Sequence, residues 1–153
     1  MMGIDKDIQQ LTFRNPHQKA AINLIYTLGW MREKTTLIFE AEDITPQQFN
    51  ILRILRGSYP HPLSTLQIRE RMLEKMSDTS RIVDRLITKG LVKKLTCKND
   101  RRLVDIIITD KGKKLLERLD DRQDEIDGVL HNLSEKDATI LSDLLDKIRY
   151  GGE

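Results

Sequence analysis

STLQIRERML (residues 64–73), SDTSRIVDRLITKG (77–90) and LVKKLTCKNDRRLVDIIIT (91–109) are the three pieces of sequence on which the fold turns. In the first, Leu66, Ile68, Met72 and Leu73 are apolar at spacings that suit a short helix, and a break at residues 74–76 separates it from the second. The second piece carries Ile82, Val83, Leu86 and Ile87 at helical spacing and stops at Gly90, a residue that tolerates the left-handed conformation ending a helix. Its other side is Ser77, Asp78, Ser80, Arg81, Asp84, Arg85 and Thr88, all able to donate or accept hydrogen bonds. Two helices joined by a short turn, the second polar on one face, are what a helix-turn-helix needs to lay a reading helix in the major groove of DNA. The third piece reads as two strands around residues 98–102, a hairpin with a basic tip. Together the pieces predict a winged helix-turn-helix.

Charge supports that reading. The chain of 153 residues has a formal net charge of only +2. Residues 53–102, however, hold 13 Lys and Arg against 5 Asp and Glu, while the rest of the chain holds 13 against 19. A basic middle between acidic ends is the electrostatic footprint of a polyanion site. With 39% hydrophobic, 5% aromatic and 33% charged residues, the core has to be aliphatic and the surface highly charged, which favours a helical protein of one domain's size. One cysteine, Cys97, excludes an internal disulfide. The polar start MMGIDKDIQQ lacks an apolar signal core and no apolar run approaches a membrane span, so a cytoplasmic protein without membrane contact is expected.

The flanks are helical. Residues 1–13 carry no pattern and are read as a flexible arm. From Pro16 to about Glu42, Leu24, Leu28, Met31, Thr35 and Ile38 recur at spacings of three and four, with Ile22, Ile25 and Gly29 as a second row beside them. Thr45-Pro46-Gln47-Gln48 has the composition of a capping box, opening a helix with Phe49, Leu52 and Leu55 on one face; Ser64 and Gln67 repeat the pattern. Beyond Thr109, Leu115, Leu119, Ile126 and Val129 keep one face apolar, and Leu119, Ile126 and Leu133 stand a heptad apart. Ser134 with Asp137 opens a last helix carrying Leu141, Leu144, Leu145 and Ile148.

The pieces Ser80-Arg81, Leu86, Gly90-Leu91-Val92, Asp100-Arg101-Arg102, Ile108-Thr109 and Gly112, in this order and spacing, resemble the MarR family of regulators named for multiple antibiotic resistance. The family usually has Thr where Ser80 stands and Leu where Ile108 stands; both changes keep the chemistry. The resemblance implies an all-α chain with a two-stranded β wing, in which terminal helices form a dimer interface. The expected layout is one domain over 1–153, with dimerisation helices at 14–43 and 110–150 and a winged helix-turn-helix DNA-binding lobe at 45–109. It also implies that the Asp of the D-x-R motif, Asp100, orients Arg102 in the wing.

The expected function is therefore sequence-specific binding of double-stranded DNA at a pseudo-palindromic operator by a homodimeric transcription regulator, a repressor modulated by a small-molecule effector. Reading-helix contacts are assigned to Ser77, Asp78, Thr79, Ser80, Arg81 and Arg85, and wing contacts to Lys98, Asp100, Arg101 and Arg102. Arg81 and Arg85 have a plainer alternative, in which they hold a phosphate or pair with Asp84. Tyr26, Trp30, Phe39 and Phe49 are candidates for an effector pocket, and core packing explains them equally well. No enzyme is nominated: His17, His61 and His131 are far apart in sequence, and no phosphate loop, G-x-S-x-G, C-x-x-C or H-E-x-x-H occurs. No cofactor is expected. Asp120, Asp124, Asp127 and His131 share a helix face but read as a solvated acidic row, so no metal is assigned; Cys97 reads as a small strand residue, with a redox role as its alternative. Two other classes fit the same pattern: a winged-helix protein-interaction module, and a ligand-binding helical dimer without DNA function.

Overall fold

The computed structural model describes residues 2–96 and 104–151. They fall into two compact units, one up to Leu37 and one from Ile38 onward, where the sequence reading takes a single domain. Among the described residues no helix is long and apolar enough to cross a membrane.

In the first unit, α1 (Ile4–Asp7) is a single turn within the stretch expected to be a flexible arm, and its Ile4 is buried. α2 (Pro16–Glu40) starts where Pro16 predicts, with Asn15 Oδ1 accepting the Gln18 N–H at 2.8 Å. It runs on through the boundary, so Ile38 and Phe39 at its end belong to the second unit. Leu24, Ile25, Leu28 and Leu37 along it remain exposed.

The second unit is built on the core. α3 (Pro46–Ser58) opens with the expected capping box: Thr45 Oγ1 accepts the Gln48 N–H at 3.1 Å and Gln48 Oε1 accepts the Thr45 N–H at 3.1 Å. Its Ile51, Leu52 and Leu55 are buried. The second box holds as well, Ser64 and Gln67 capping α4 (Thr65–Arg71) at 2.9 and 3.1 Å. α5 (Thr79–Thr88) lays Val83 and Leu86 into the core. β2 (Val92–Thr96) and β3 (Val104–Ile108) pair antiparallel from Val92↔Ile108 to Thr96↔Val104. The sheet has a third strand that the two-stranded expectation lacks. β1 (Leu63–Ser64) pairs with β3 through Leu63↔Ile106 and Ser64↔Asp105, giving the order β1-β3-β2. Two residues are too few to show alternation, so nothing in the local pattern announces this strand.

α6 (Asp110–Asp120) is expected among the dimerisation helices, yet it buries Leu115, Leu116 and Leu119 in this same core. The apolar stripe that suggested one helix through Ile126 is interrupted after Asp120. α7 (Gln123–Asp127), a 3₁₀ turn (Gly128–Leu130) and α8 (Glu135–Tyr150) follow. Ser134 caps α8 by accepting the Asp137 N–H at 3.1 Å, as its spacing predicts. The row Asp120, Asp124, Asp127 and His131 thus does not lie on one helix, and Asp120 is held by a two-pronged pair with Arg56 at 2.7 and 3.1 Å.

Candidate nucleic-acid interface

α5, the candidate reading helix, is tied at both ends and in the middle. At its start Asp78 Oδ1 accepts the Arg81 N–H at 3.2 Å, satisfying one of the free N–H groups of the first turn, and Asp78 Oδ2 lies 3.6 Å from Arg81 Nε. At its end Gly90 takes a φ of +72°, and Lys89 Nζ donates to the Asp43 carbonyl and lies 3.4 Å from Gln48 Oε1. Lys111 Nζ donates to the Lys89 carbonyl at 2.8 Å, closing the same end from α6. In the middle, Asp84 lies 3.6 Å from Lys94. Lys94 pairs in register with Ile106, whose side chain faces the core, so β2 presents that lysine toward α5. Asp84 is therefore Lys94's partner, and the expected alternative, in which it pairs with Arg81 or Arg85, is not what forms.

Burial sorts the candidate DNA contacts. Ser80, Arg81, Asp84, Arg85 and Thr88 are exposed along one side of α5, opposite Val83 and Leu86. Among the described residues Arg85 has no carboxylate partner. Thr79 corrects the sequence reading. It is only 4% exposed, and its hydroxyl sits buried without a hydrogen-bond partner among the described residues, so it packs the start of the helix. Ser77 is half-buried with its hydroxyl likewise unpartnered. Lys98, Asp100, Arg101 and Arg102, together with Cys97, lie outside the described residues.

Two open grooves flank the start of α5. One, of about 440 Å³, lies between α4, α5 and the strands and includes Ser64, Thr65, Leu66, Ser80, Asp84 and Lys94. The other, of about 420 Å³, includes Thr65, Leu66, Arg69 and the run 77–80. Thr65, Leu66 and Ser80 line both and so form the ridge between them. Sequence reasoning missed Thr65, Leu66, Arg69 and Lys94. Leu66 is 63% exposed and Leu73 is exposed too, whereas Ile68 and Met72 of the same apolar set are buried.

The effector candidates separate. Phe39 and Phe49 stack with centroids 4.7 Å apart, Phe39 within the core and Phe49 against it. Tyr26 and Trp30 are exposed on α2 in the first unit, with Lys34 Nζ 5.9 Å from the Trp30 ring centre. Away from the reading helix, Arg118 of α6 grips the Glu42 carboxylate with bonds of 2.8 to 3.1 Å. These hydrogen bonds hold the Glu42 pKa below its ordinary value against the opposing effect of burial, with the charges of Arg118 and Arg122 adding to them.

A sequence profile of the MarR family matches residues 44–104, from the entry to α3 to the start of β3. A solved MarR transcription factor from Planctomyces limnophilus is 32% identical, the match covering 88% of this chain and 98% of that one, with a TM-score of 0.68. This chain belongs to the MarR family. The HTH-type transcriptional regulator PecS of Dickeya dadantii is 27% identical over 145 residues, covering 89% of this chain and 87% of PecS. The MepR protein of S. aureus, solved as a DNA complex, is 25% identical with a TM-score of 0.73, covering 82% of this chain and 92% of MepR. The chain is accordingly a MarR-family transcriptional regulator. Its MarR-like glycines have physical reasons. Gly90 provides the positive φ that ends α5. At Gly112 a Cβ would stand 2.3 Å from the Leu91 carbonyl oxygen and 2.7 Å from Ile108 Cγ1, so only glycine fits. Thr109 ties these segments: its hydroxyl donates to the Gly90 carbonyl at 2.7 Å and accepts the Gly112 N–H at 3.2 Å.

Proposed function

We propose that this chain is a homodimeric repressor that occupies a pseudo-palindromic DNA operator through α5 and the β2–β3 wing and is modulated by a small-molecule effector. The observation that carries the DNA reading is the division of α5 into a buried side, Val83 and Leu86, and an exposed polar side, Ser80, Arg81, Asp84, Arg85 and Thr88. A capped helix so divided offers hydrogen-bonding groups to base edges while its other face is committed to the core. Ser80, Arg81 and Arg85 are the proposed base and phosphate contacts. Asp78 acts through its cap on Arg81, and Ser77 serves the turn. The wing residues Lys98, Asp100, Arg101 and Arg102 are assigned on the sequence reading alone, with Asp100 orienting Arg102.

Dimerisation is supported by apolar residues left open on single elements. In α8, Leu144 is 53% and Ile148 70% exposed. In α2, Ile25 is 74% exposed. Such stripes are costly in water and suit a helix-helix seam. Tyr26 and Trp30 are the proposed effector contacts; a ligand would act by favouring one of two states that differ in DNA affinity. Repression follows from occupancy of the operator.

The test is a mobility shift on the DNA upstream of the protein's own coding sequence, with random duplex as competitor. Retained binding under competition is expected. Binding that random duplex removes in proportion would reduce the activity to nonspecific attraction, and no binding at all would leave the interaction-module reading standing.

A further inference from the structure

We infer that Leu66 and Ser80 together read a thymine in the operator, Leu66 covering its C5 methyl group and Ser80 donating to its O4. The inference rests on the proposed DNA function and names a specificity element within it. Leu66 stands in the first turn of α4, the helix before the reading helix, and is 63% exposed, whereas Ile68 two positions on is fully buried. A single exposed leucine needs no explanation in itself. The position of this one does: with Thr65 and Ser80 it makes the ridge between the two grooves that flank the start of α5. An exposed isobutyl group from α4 and an exposed hydroxyl from α5 therefore border the same two grooves. Of the four base pairs seen from the major groove, thymine alone offers an apolar group, its C5 methyl, and carries the O4 acceptor on the adjacent ring carbon. The ridge and the thymine edge match group for group.

The experiment uses a duplex that the wild-type chain selects from a random library, with each thymine replaced in turn by deoxyuridine, which removes the methyl and keeps both O4 and the pairing. At one thymine in each half-site, the replacement should weaken the wild-type protein about fourfold, the worth of one methyl-sized group withdrawn from water. Leu66→Ala should bind the thymine and uracil duplexes equally, and Leu66→Met should retain most of the difference. Thermal melts of both variants matching the wild type would show that the comparison concerns contact and not folding. If uracil weakens Leu66→Ala as much as the wild type, or if no thymine shows a methyl effect, Leu66 does not read thymine although DNA binding stands. If the wild-type chain selects no sequence at all, the DNA function itself fails and the inference with it.

Discussion

Gly112→Ala sets two effects of opposite sign against each other. Gly112 is the third residue of α6, and alanine is a better helix former than glycine by about 0.8 to 1.0 kcal/mol, so propensity alone makes the substitution stabilising. Contact distances decide otherwise. The new Cβ would lie 2.3 Å from the Leu91 carbonyl oxygen and 2.7 Å from Ile108 Cγ1. Relief requires the strand ends and α6 to part by roughly 0.7 Å or more, since carbon atoms essentially never approach within 3.0 Å of such neighbours. Neither neighbour is free to move. Leu91 is buried and its carbonyl accepts the Thr109 N–H at 3.1 Å; Ile108 is 2% exposed. Overpacking of a fixed core costs about 1 to 3 kcal/mol, and weakening the Thr109 cap adds about 1 kcal/mol. The net expectation is a loss of about 2 kcal/mol. Urea unfolding followed by circular dichroism, at one fixed chain concentration because the proposed dimerisation would shift the midpoint, measures it. Gly57→Ala in α3 is the control: nothing lies within 4 Å of its Cβ position, so the propensity gain stands unopposed and a stabilisation of up to about 0.8 to 1.0 kcal/mol is expected there. A Gly112→Ala protein as stable as the wild type would refute the steric account of this family glycine.

Four further outcomes are expected. Arg81→Ala should weaken operator binding by about 1 to 3 kcal/mol and random-DNA binding less; equal losses on both would make Arg81 a phosphate contact. Asp100→Ala should weaken binding across a salt titration if Asp100 orients Arg102, whereas tighter binding would mean that removing its charge is all that matters. Removing residues 134–153 should yield monomer or aggregate by light scattering, because α8 with its open Leu144 and Ile148 is lost; a well-behaved dimer would take α8 out of the interface. Glu42 has a lowered folded-state pKa, so its link to Arg118 stabilises the fold above the ordinary carboxylate value of 4.5 and is lost as pH falls below it. Glu42→Gln should therefore lower the urea midpoint at neutral pH and flatten its decline under acid, and an unchanged acid limb would show that the pair contributes nothing.

Local chemistry was legible in the sequence because its partners lie within four residues. Thr45 with Gln48, Ser64 with Gln67 and Ser134 with Asp137 close their caps as spacing alone predicts. Gly90 ends α5 for the same local reason. Misreadings begin where a second segment decides. Leu63 joins the sheet only because Ile106 lies opposite it, 43 residues later. Leu66 and Ile68 are both apolar in a helix of 7 residues, and two turns do not fix which faces inward; the packing of Ile68 and Met72 does. Thr79 stands in the first turn of α5, where base contacts are expected, but its side chain is buried at the entry to the helix. Nothing near Lys94 in sequence shows that its register with Ile106 places it 3.6 Å from Asp84.

Core packing fixes which face α5 presents before it fixes what any one residue touches. Val83 and Leu86 are buried, so α5 cannot rotate about its axis without taking core side chains into water, each worth about 1.5 to 3 kcal/mol. That cost selects Ser80, Arg81, Asp84, Arg85 and Thr88 as the outward row whatever each of them touches. Within the row, charge pairing then divides the work: Asp84 is held by Lys94, Arg81 leans on its cap residue Asp78, and Arg85 is left open to an external anion among the described residues. A phosphate is the anion DNA offers in every sequence, whereas a hydroxyl such as that of Ser80 can pair with a base edge. On the proposed DNA reading, affinity and specificity are carried by different residues of this surface, and substitution at Arg85 should change the salt dependence of binding without changing which sequence is preferred.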